Sequence, residues 1–209
     1  LSEQKADILF LPNSDFISKN ISNYNLGDES RKLCGKDRKG HFLGVVSVIL
    51  RFLKLIEPDY MFLGEKDFQQ TIIINKLINF YNFKTKIKVL PTIRNSKGIA
   101  FSSRNQFIKN EVSLIQLLPQ TLIQIKKDVE NGGFEIKKIN YYKELLEKKG
   151  IEKVNYLEIL KVKNLEHLNQ NYSMARIFIS ATISGVRLID NILIERGVIL
   201  VGGKVEMCD

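Results

Sequence analysis

Cysteine and long apolar runs are scarce in this sequence. It has 2 cysteines among 209 residues, Cys34 and Cys208, and they form no CxxC pair. This pattern argues against a disulfide-built scaffold and against a cysteine-based zinc site. No apolar run reaches the roughly 18 residues that a membrane span needs, and the first residues are too polar for a signal peptide. We expect a soluble, cytoplasmic protein with no membrane partner.

Dense basic runs interleaved with aromatic residues are also missing, although the net charge is +9 and the isoelectric point is near 9.4. Lysine, isoleucine and asparagine are abundant throughout the chain, as a biased genome composition would produce. A nucleic-acid-binding module is an alternative that rests on net charge alone. Because an anionic small ligand explains the charge equally well, we expect no nucleic-acid partner.

Short apolar runs in the first half of the chain predict a parallel sheet. Each run ends at a proline or a glycine, and segments with apolar residues at helical spacing lie between them. Strands that alternate with helices are typical of an α/β sheet with right-handed crossovers. The predicted strands are Asp7 to Pro12 and Tyr60 to Leu63, both expected to be buried, and Thr85 to Leu90. The predicted helices are Phe42 to Ile56 and Lys66 to Phe80, and a long polar connection covers Asn13 to Lys39.

The pattern changes after Asn105. Two helical patterns are followed by three strand-like segments, which predicts a smaller α+β domain. We therefore divide the chain into a nucleotide-binding domain over residues 1–92 and a C-terminal domain over residues 93–209, and leave residues 196–209 unassigned. The predicted helices are Asn110 to Glu130 and Glu135 to Lys149, and the predicted strands are Val154 to Leu160, Ala175 to Ile183 and Val186 to Ile194.

The turn LGEKDFQQ, from Leu63 to Gln70, joins the second strand to the next helix. Parallel sheets bind ligands at the carboxyl ends of their strands, and the N–H groups of a starting helix suit a phosphate. Lys66 would add a positive charge there. The alternative is an ordinary helix start in which Glu65 and Asp67 complement the helix dipole.

Two further segments carry hydrogen-bonding side chains. IAFSSRN, from Ile99 to Asn105, offers two hydroxyls and a guanidinium to one polyphosphate, and Gly98 would let it close over a ligand. Its alternative is a serine-rich helix cap. RKGHFLG, from Arg38 to Gly44, contains His41, for which the alternative is a structural histidine at a helix start.

Together these segments resemble the pantothenate synthetase family. The matching stretches are GKDRKGHFLGVVSVILRFLKLIEPDYMFLGEKDFQQ, PTIRNSKGIAFSSRN and GVRLIDN, and the resemblance extends from about Leu1 to about Leu193. It implies a nucleotidyltransferase of the HIGH type, with a Rossmann-like parallel sheet, a smaller C-terminal α+β lid domain and a homodimeric assembly. The implied ligase uses ATP and Mg²⁺ to convert pantoate to pantoyl adenylate, from which β-alanine then displaces AMP.

The resemblance also implies the roles of individual residues. It assigns ATP binding to Gly64, Glu65, Lys66, Asp67, Ile93, Phe101, Ser102, Ser103 and Arg104, catalysis to Lys66, Ser102, Ser103 and Arg104, and pantoate binding to Gln70, His41 and Arg38. It implies no metal ligand in the protein.

One part of the family pattern is absent from this sequence. The histidine motif of the HxGH type, expected on the first strand-to-helix turn, does not occur, and the chain opens at Leu1 rather than at a methionine. We expect an N-terminal segment of roughly 60 to 100 residues that would complete the sheet. The alternative function is a catalytically incomplete fragment that serves only for binding or dimerisation.

Overall fold

The structure, a computed structural model, describes residues 7–13, 24–132, 134–168, 174–195, 197–201 and 204–208. The helices are α1 (Leu33–Asp37), α2 (His41–Ile56), α3 (Phe68–Phe80), α4 (Val112–Glu130) and α5 (Lys138–Lys148), with 3-10 helices at Asp28–Arg31, Glu65–Asp67 and Ser103–Glu111. The strands are β1 (Tyr60–Gly64), β2 (Lys86–Leu90), β3 (Phe134–Glu135), β4 (Lys153–Lys161), β5 (Ala175–Ile183), β6 (Val186–Ile194), β7 (Gly197–Val201) and β8 (Lys204–Cys208).

Strands β1 and β2 pair in parallel, from Tyr60 opposite Lys86 to Gly64 opposite Leu90. Helices α2 and α3 cover one face of this pair, and their fully buried side chains include Leu53 and Ile73. The predicted strand, helix, strand order is therefore confirmed here, and it brings the start of α3 to the carboxyl end of β1.

The prediction that the strand from Tyr60 is buried is wrong. Its side chains alternate between half-buried and exposed, and Phe62 on the outer face is 63% exposed. Residues 86–90 are even more exposed, since only Ile87 is half-buried and both Val89 and Leu90 are exposed. No described segment covers this outer face, which is why alternate apolar side chains stay in solvent.

The prediction of a buried strand from Asp7 to Pro12 is also wrong. This segment forms no strand, and its apolar side chains, Ile8 to Leu11, are exposed. A buried parallel strand needs a hydrogen-bonded neighbour and cover on both faces. The exposed side chains show that this segment lacks such cover among the described residues.

Strands β4, β5 and β6 form an antiparallel sheet with β5 in the centre. Side chains alternate along β5: Ile177 and Ile179 pack in the core with α4, whereas Phe178 packs with α2 and α3. This alternation turns Arg176 toward the start of α3, where it binds Glu65. The sheet therefore has one face in each core, and the predicted bounds of β5 and β6 are confirmed.

Other bounds also differ from the predicted ones. Helix α3 begins at Phe68 rather than Lys66, and helix α5 covers Lys138–Lys148 rather than Glu135 to Lys149. The connection over Asn13 to Lys39 is helical from Asp28 to Asp37 apart from Lys32, while its residues 14–23 lie outside the described part. The unassigned tail contributes β7 and β8, which form a sheet with β3. Helix α4 starts two residues later than predicted, after a 3-10 helix. Among the helices described, none is long and apolar enough to cross a membrane.

Candidate active site

A cleft of about 220 Å³ lies at the carboxyl end of β1, between the start of α3 and strands β5 and β6. It brings together residues that the sequence placed in three separate segments. Those that line it are Arg38, His41, Lys66, Asp67, Gln70, Ser102, Ser103 and Arg104.

Four of the predicted ATP-binding residues do not line this cleft. Ile93 and Phe101 are 72% and 63% exposed. Gly64 ends β1, and Glu65 binds Arg176, with 2.6 Å between its Oε1 and the guanidinium Nη2. Their contact with ATP stays a prediction.

The turn after β1 is held by β6. The Asn191 side-chain amide donates hydrogen bonds to the carbonyl oxygens of Glu65, at 3.1 Å, and Lys66, at 2.9 Å. Glu65–Asp67 form a 3-10 helix that leads directly into α3. The chain therefore turns sharply at the sheet edge, with Lys66 and Gln70 on the wall of the cleft.

The segment before Ser102 is a tight loop. Asn95 Oδ1 accepts from the N–H groups of Lys97 and Ile99, both at 3.0 Å. Gly98 has φ +77°, a left-handed conformation that favours glycine. The loop delivers Ser102 to Arg104 to the cleft that the turn after β1 also lines.

Ser102 is also a helix cap, as the alternative interpretation predicted. Its hydroxyl accepts from the Arg104 N–H at 3.2 Å. The Arg104 guanidinium donates to the carbonyl oxygen of Arg187 at 2.8 Å. The cap fixes the backbone of this segment, while Ser103 beside it lines the same cleft.

His41 lies among positive charges. Its Nε2 is 3.2 Å from Arg38 Nη1, and because a guanidinium only donates, this nitrogen accepts. Burial lowers the pKa of His41, and the charges of Arg38, Arg187 and Arg104 lower it further, against a smaller opposite effect of Asp67. The imidazole is therefore neutral at pH 7.

Arg187 is a cleft residue that the sequence analysis missed. Its Nη2 donates to Cys34 Sγ at 3.4 Å and to Asp37 at 3.2 Å. Cys34 Sγ in turn lies 3.2 Å from the hydroxyl of Tyr156, and burial followed by the nearby Cys34 raises the pKa of that hydroxyl. Arg187 belongs to the motif GVRLIDN, so the sequence does draw attention to this segment. Nothing in the sequence shows which residues Arg187 contacts.

Gln69 was also missed, although it precedes the predicted Gln70. Its buried amide donates to the carbonyl oxygens of Glu29 and Lys32, both at 2.7 Å, and accepts from the Cys34 N–H at 3.0 Å. These bonds fix α1 to α3. Gln69 thereby sets the position of the chain that continues to Arg38 and His41.

The acidic side chains near the cleft bear on how a metal ion could be held there. Within the part of the chain that the structure describes, no group of three or more histidine, cysteine, aspartate or glutamate side chains is arranged to hold a metal ion. Asp67 and Asp190 both line the cleft, and Asp190 is bound by Arg94. The remaining carboxylate, Asp67, and several cations fit a Mg²⁺ that arrives on a nucleotide, because Mg²⁺ is commonly held by one or two carboxylates and substrate phosphates.

Comparison with proteins of known sequence places these features in a family. The profile of the pantoate-beta-alanine ligase family matches residues 1–193. The pantothenate synthetase of Buchnera aphidicola subsp. Acyrthosiphon pisum (strain Tuc7) is 37% identical over 200 residues, which cover 91% of this chain and 69% of that protein. The enzyme of Thermoanaerobacter sp. (strain X514) is 34% identical, with 92% and 70% covered.

Solved structures give the same result. The pantothenate synthetase of Thermus thermophilus superposes with a TM-score of 0.80 at 26% identity and covers 91% of this chain, which matches 71% of that structure. A pantoate-beta-alanine ligase of Francisella tularensis, complexed with beta-gamma ATP and beta-alanine, has a TM-score of 0.65 at 29% identity, with 86% and 59% covered. The chain described here belongs to the pantoate–β-alanine ligase family.

Proposed function

We propose that this chain provides the nucleotide and pantoate sites of an enzyme that joins pantoate to β-alanine through pantoyl adenylate, with release of pyrophosphate and AMP. The supporting observation is the convergence of Lys66, Arg104 and His41 on one cleft at the carboxyl end of β1. ATP enters this site as its Mg²⁺ complex, which is a substrate.

In the first step, a pantoate carboxylate oxygen attacks the α-phosphorus of ATP. The new bond joins that oxygen to phosphorus, and the bond to the pyrophosphate oxygen breaks. Negative charge accumulates on the transferring oxygens, so fixed donors that point at them lower the barrier. Lys66, Ser102, Ser103 and Arg104 are groups of this type on the two sides of the cleft.

Pantoate is held by other residues that line the same cleft. Gln70 has an amide that both donates and accepts, which suits the hydroxyl groups of pantoate. Arg38 offers a guanidinium to its carboxylate, and His41 is kept uncharged beside it. In the second step the β-alanine amine attacks the acyl carbon, an amide bond forms with loss of a proton, and AMP leaves.

We further propose that a preceding segment with the HxGH motif completes this site. A cavity of about 220 Å³ is smaller than the roughly 300 to 1,000 Å³ of most small-molecule sites, and the site must hold ATP and pantoate together. The open outer face of β1 and β2 offers apolar surface for such a segment. The domain division at residue 92, the homodimer and the cytoplasmic location stay predictions.

The experiment compares the 209-residue chain with Lys66→Ala and with the matched control Lys148→Ala, an exposed lysine on α5. ATP binding is measured by calorimetry, and pantoate-dependent pyrophosphate release by a coupled assay. We expect Lys66→Ala to weaken ATP binding at least roughly tenfold, since it removes a charged phosphate contact, and Lys148→Ala to leave it unchanged.

The two readouts separate the candidate functions. ATP binding together with pyrophosphate release supports the complete reaction. ATP binding without release supports the alternative of a fragment that binds its substrate but lacks catalytic groups. Absence of ATP binding, or equal binding by Lys66→Ala and wild type, contradicts the proposed role of the cleft.

A further inference from the structure

Two adjacent residues of β6, Asp190 and Asn191, connect the two walls of the cleft. Both are buried, with 4% of each residue exposed. Successive side chains of a strand point to opposite faces of the sheet, so this dipeptide reaches two different segments. Neither residue has a role in the mechanism above.

Asn191 holds the turn after β1. Its Nδ2 donates to the carbonyl oxygens of Glu65 and Lys66, while its Oδ1 accepts from Arg176. Because a guanidinium cannot accept, Arg176 fixes which end of the amide faces the turn. Arg176 also binds the Glu65 carboxylate at 2.6 Å, so the turn is held through both backbone and side chain.

Asp190 holds the loop before Ser102. Its two carboxylate oxygens accept from the two terminal nitrogens of Arg94 at 2.6 and 2.7 Å. Arg94 Nη1 also donates to the carbonyl oxygen of Gly98 at 2.9 Å. Asp190 Oδ1 accepts from the Asn191 N–H at 2.8 Å, which links the two contacts of the dipeptide at the backbone.

We propose that Asp190 and Asn191 are positioning residues that set the distance between the two proposed ATP-binding segments. Their polar groups are engaged within the protein, so they act through Lys66 and Arg104. An in-line displacement depends on this spacing, because a shift of about 1 Å can cost a factor of about 100 in rate. The consequence for catalysis rests on the proposed function. The effect of Asp190 and Asn191 on the two segments can be tested without ATP.

The test is amide hydrogen exchange of the ligand-free chain, followed by mass spectrometry. Asn191→Ala is expected to raise exchange roughly tenfold in residues 64–70 and to leave residues 93–105 as in wild type. Asp190→Asn is expected to raise exchange in residues 93–105 and to leave residues 64–70 as in wild type. Arg94→Lys keeps the charge but loses the two parallel bonds to Asp190, so it should give the same exchange pattern as Asp190→Asn. It therefore tests the same contact if Asp190→Asn fails to fold.

Tyr142→Phe is the matched control. It removes a 2.6 Å hydrogen bond to Asp128 that joins α5 to α4, and it should change exchange in neither segment. The inference is overturned if Asn191→Ala and Asp190→Asn affect both segments equally, or if neither segment responds.

ATP affinity then tests the consequence. Asn191→Ala should weaken binding in the wild-type background but have no further effect when Lys66 is already alanine, whereas its effect should persist in Arg104→Ala. A general loss of structure would instead weaken binding in every background, which would contradict positioning. If wild type fails to bind ATP while exchange follows the segment-specific pattern, the proposed function is wrong for this chain and the positioning role stands.

Discussion

The ion pair between Arg176 and Glu65 should make a large contribution to stability. The Arg176 side chain is 4% exposed and the Glu65 side chain 30% exposed, and 2.6 Å separates their charged atoms. Glu65→Gln keeps the shape of the side chain but leaves the guanidinium buried without its anion. We therefore expect this variant to be destabilised by much more than an ordinary surface substitution.

The size of the effect follows from what Arg176 retains. Removing one partner of a buried ion pair costs about 3 to 5 kcal/mol. Arg176 keeps Asn191 as an acceptor and lies 4.2 Å from the centroid of the Phe68 ring, and solvent reaches the Glu65 end. We therefore expect about 2 to 3 kcal/mol, a substantial share of the roughly 5 to 15 kcal/mol that stabilises a typical domain.

Urea unfolding followed by circular dichroism measures this difference. With an m value of about 2 kcal/mol per molar, the midpoint should fall by about 1 M. Arg176→Met should be destabilised at least as much, because Glu65 then lies beside an apolar side chain. In the double variant both charges are gone, so its loss should be smaller than the sum of the single losses by at least about 1 kcal/mol. Additive losses, or a Glu65→Gln effect below about 0.5 kcal/mol, would refute the reasoning.

Three further predictions concern the walls of the cleft and the open sheet face. Because the pKa of His41 is lowered in the folded state, the unfolded state binds the proton first, so the free energy of unfolding should fall as pH drops below about 6.5. In chemical unfolding between about pH 5 and pH 7, His41→Gln should flatten this fall. An unchanged slope would contradict the lowered pKa of His41. Gln69→Ala leaves buried backbone groups unpaired and should lower the free energy of unfolding by about 2 to 3 kcal/mol. The neighbouring Gln70→Ala should lower it by less than about 0.5 kcal/mol. Equal losses would contradict the structural role of Gln69. Phe62→Ser should likewise cost less than about 0.5 kcal/mol because Phe62 lies in solvent, whereas a loss above about 2 kcal/mol would show that its face is covered.

Elements with a strong local signal could be predicted from the sequence. Helix α2 has apolar residues at helical spacing over 16 residues, and β5 and β6 are nine-residue runs bounded by turns. Helix α1 has five residues and is too short for such a pattern. Its position depends on Gln69, 35 residues away from Cys34 in the chain. A short helix that is stabilised by one distant side chain has no repeating apolar pattern from which it could be predicted.

The candidate site divides in the same way. The segments around Lys66, Arg104 and His41 carry chemistry in their own residue types, so the sequence indicated them. The residues that hold those segments in place do not. Asp190 meets Arg94 across 96 positions of sequence, and no local pattern predicts such a pair. GVRLIDN is recognisable as a motif in the sequence. Its contacts with the turn after β1 and with the loop before Ser102 become clear only in the folded structure.

The open sheet face and the small volume of the cleft have a common structural origin. Among the described residues, β1 has β2 as its one strand neighbour, and the cleft lies at the carboxyl end of β1, where Lys66 follows Gly64. A parallel strand added to the free edge of β1 would end beside Lys66, and the helix that follows it would lie over Phe62 and Leu90. Covering the sheet and enclosing the site would thus be one event. This is why we expect any segment that stabilises this face to change ligand binding as well.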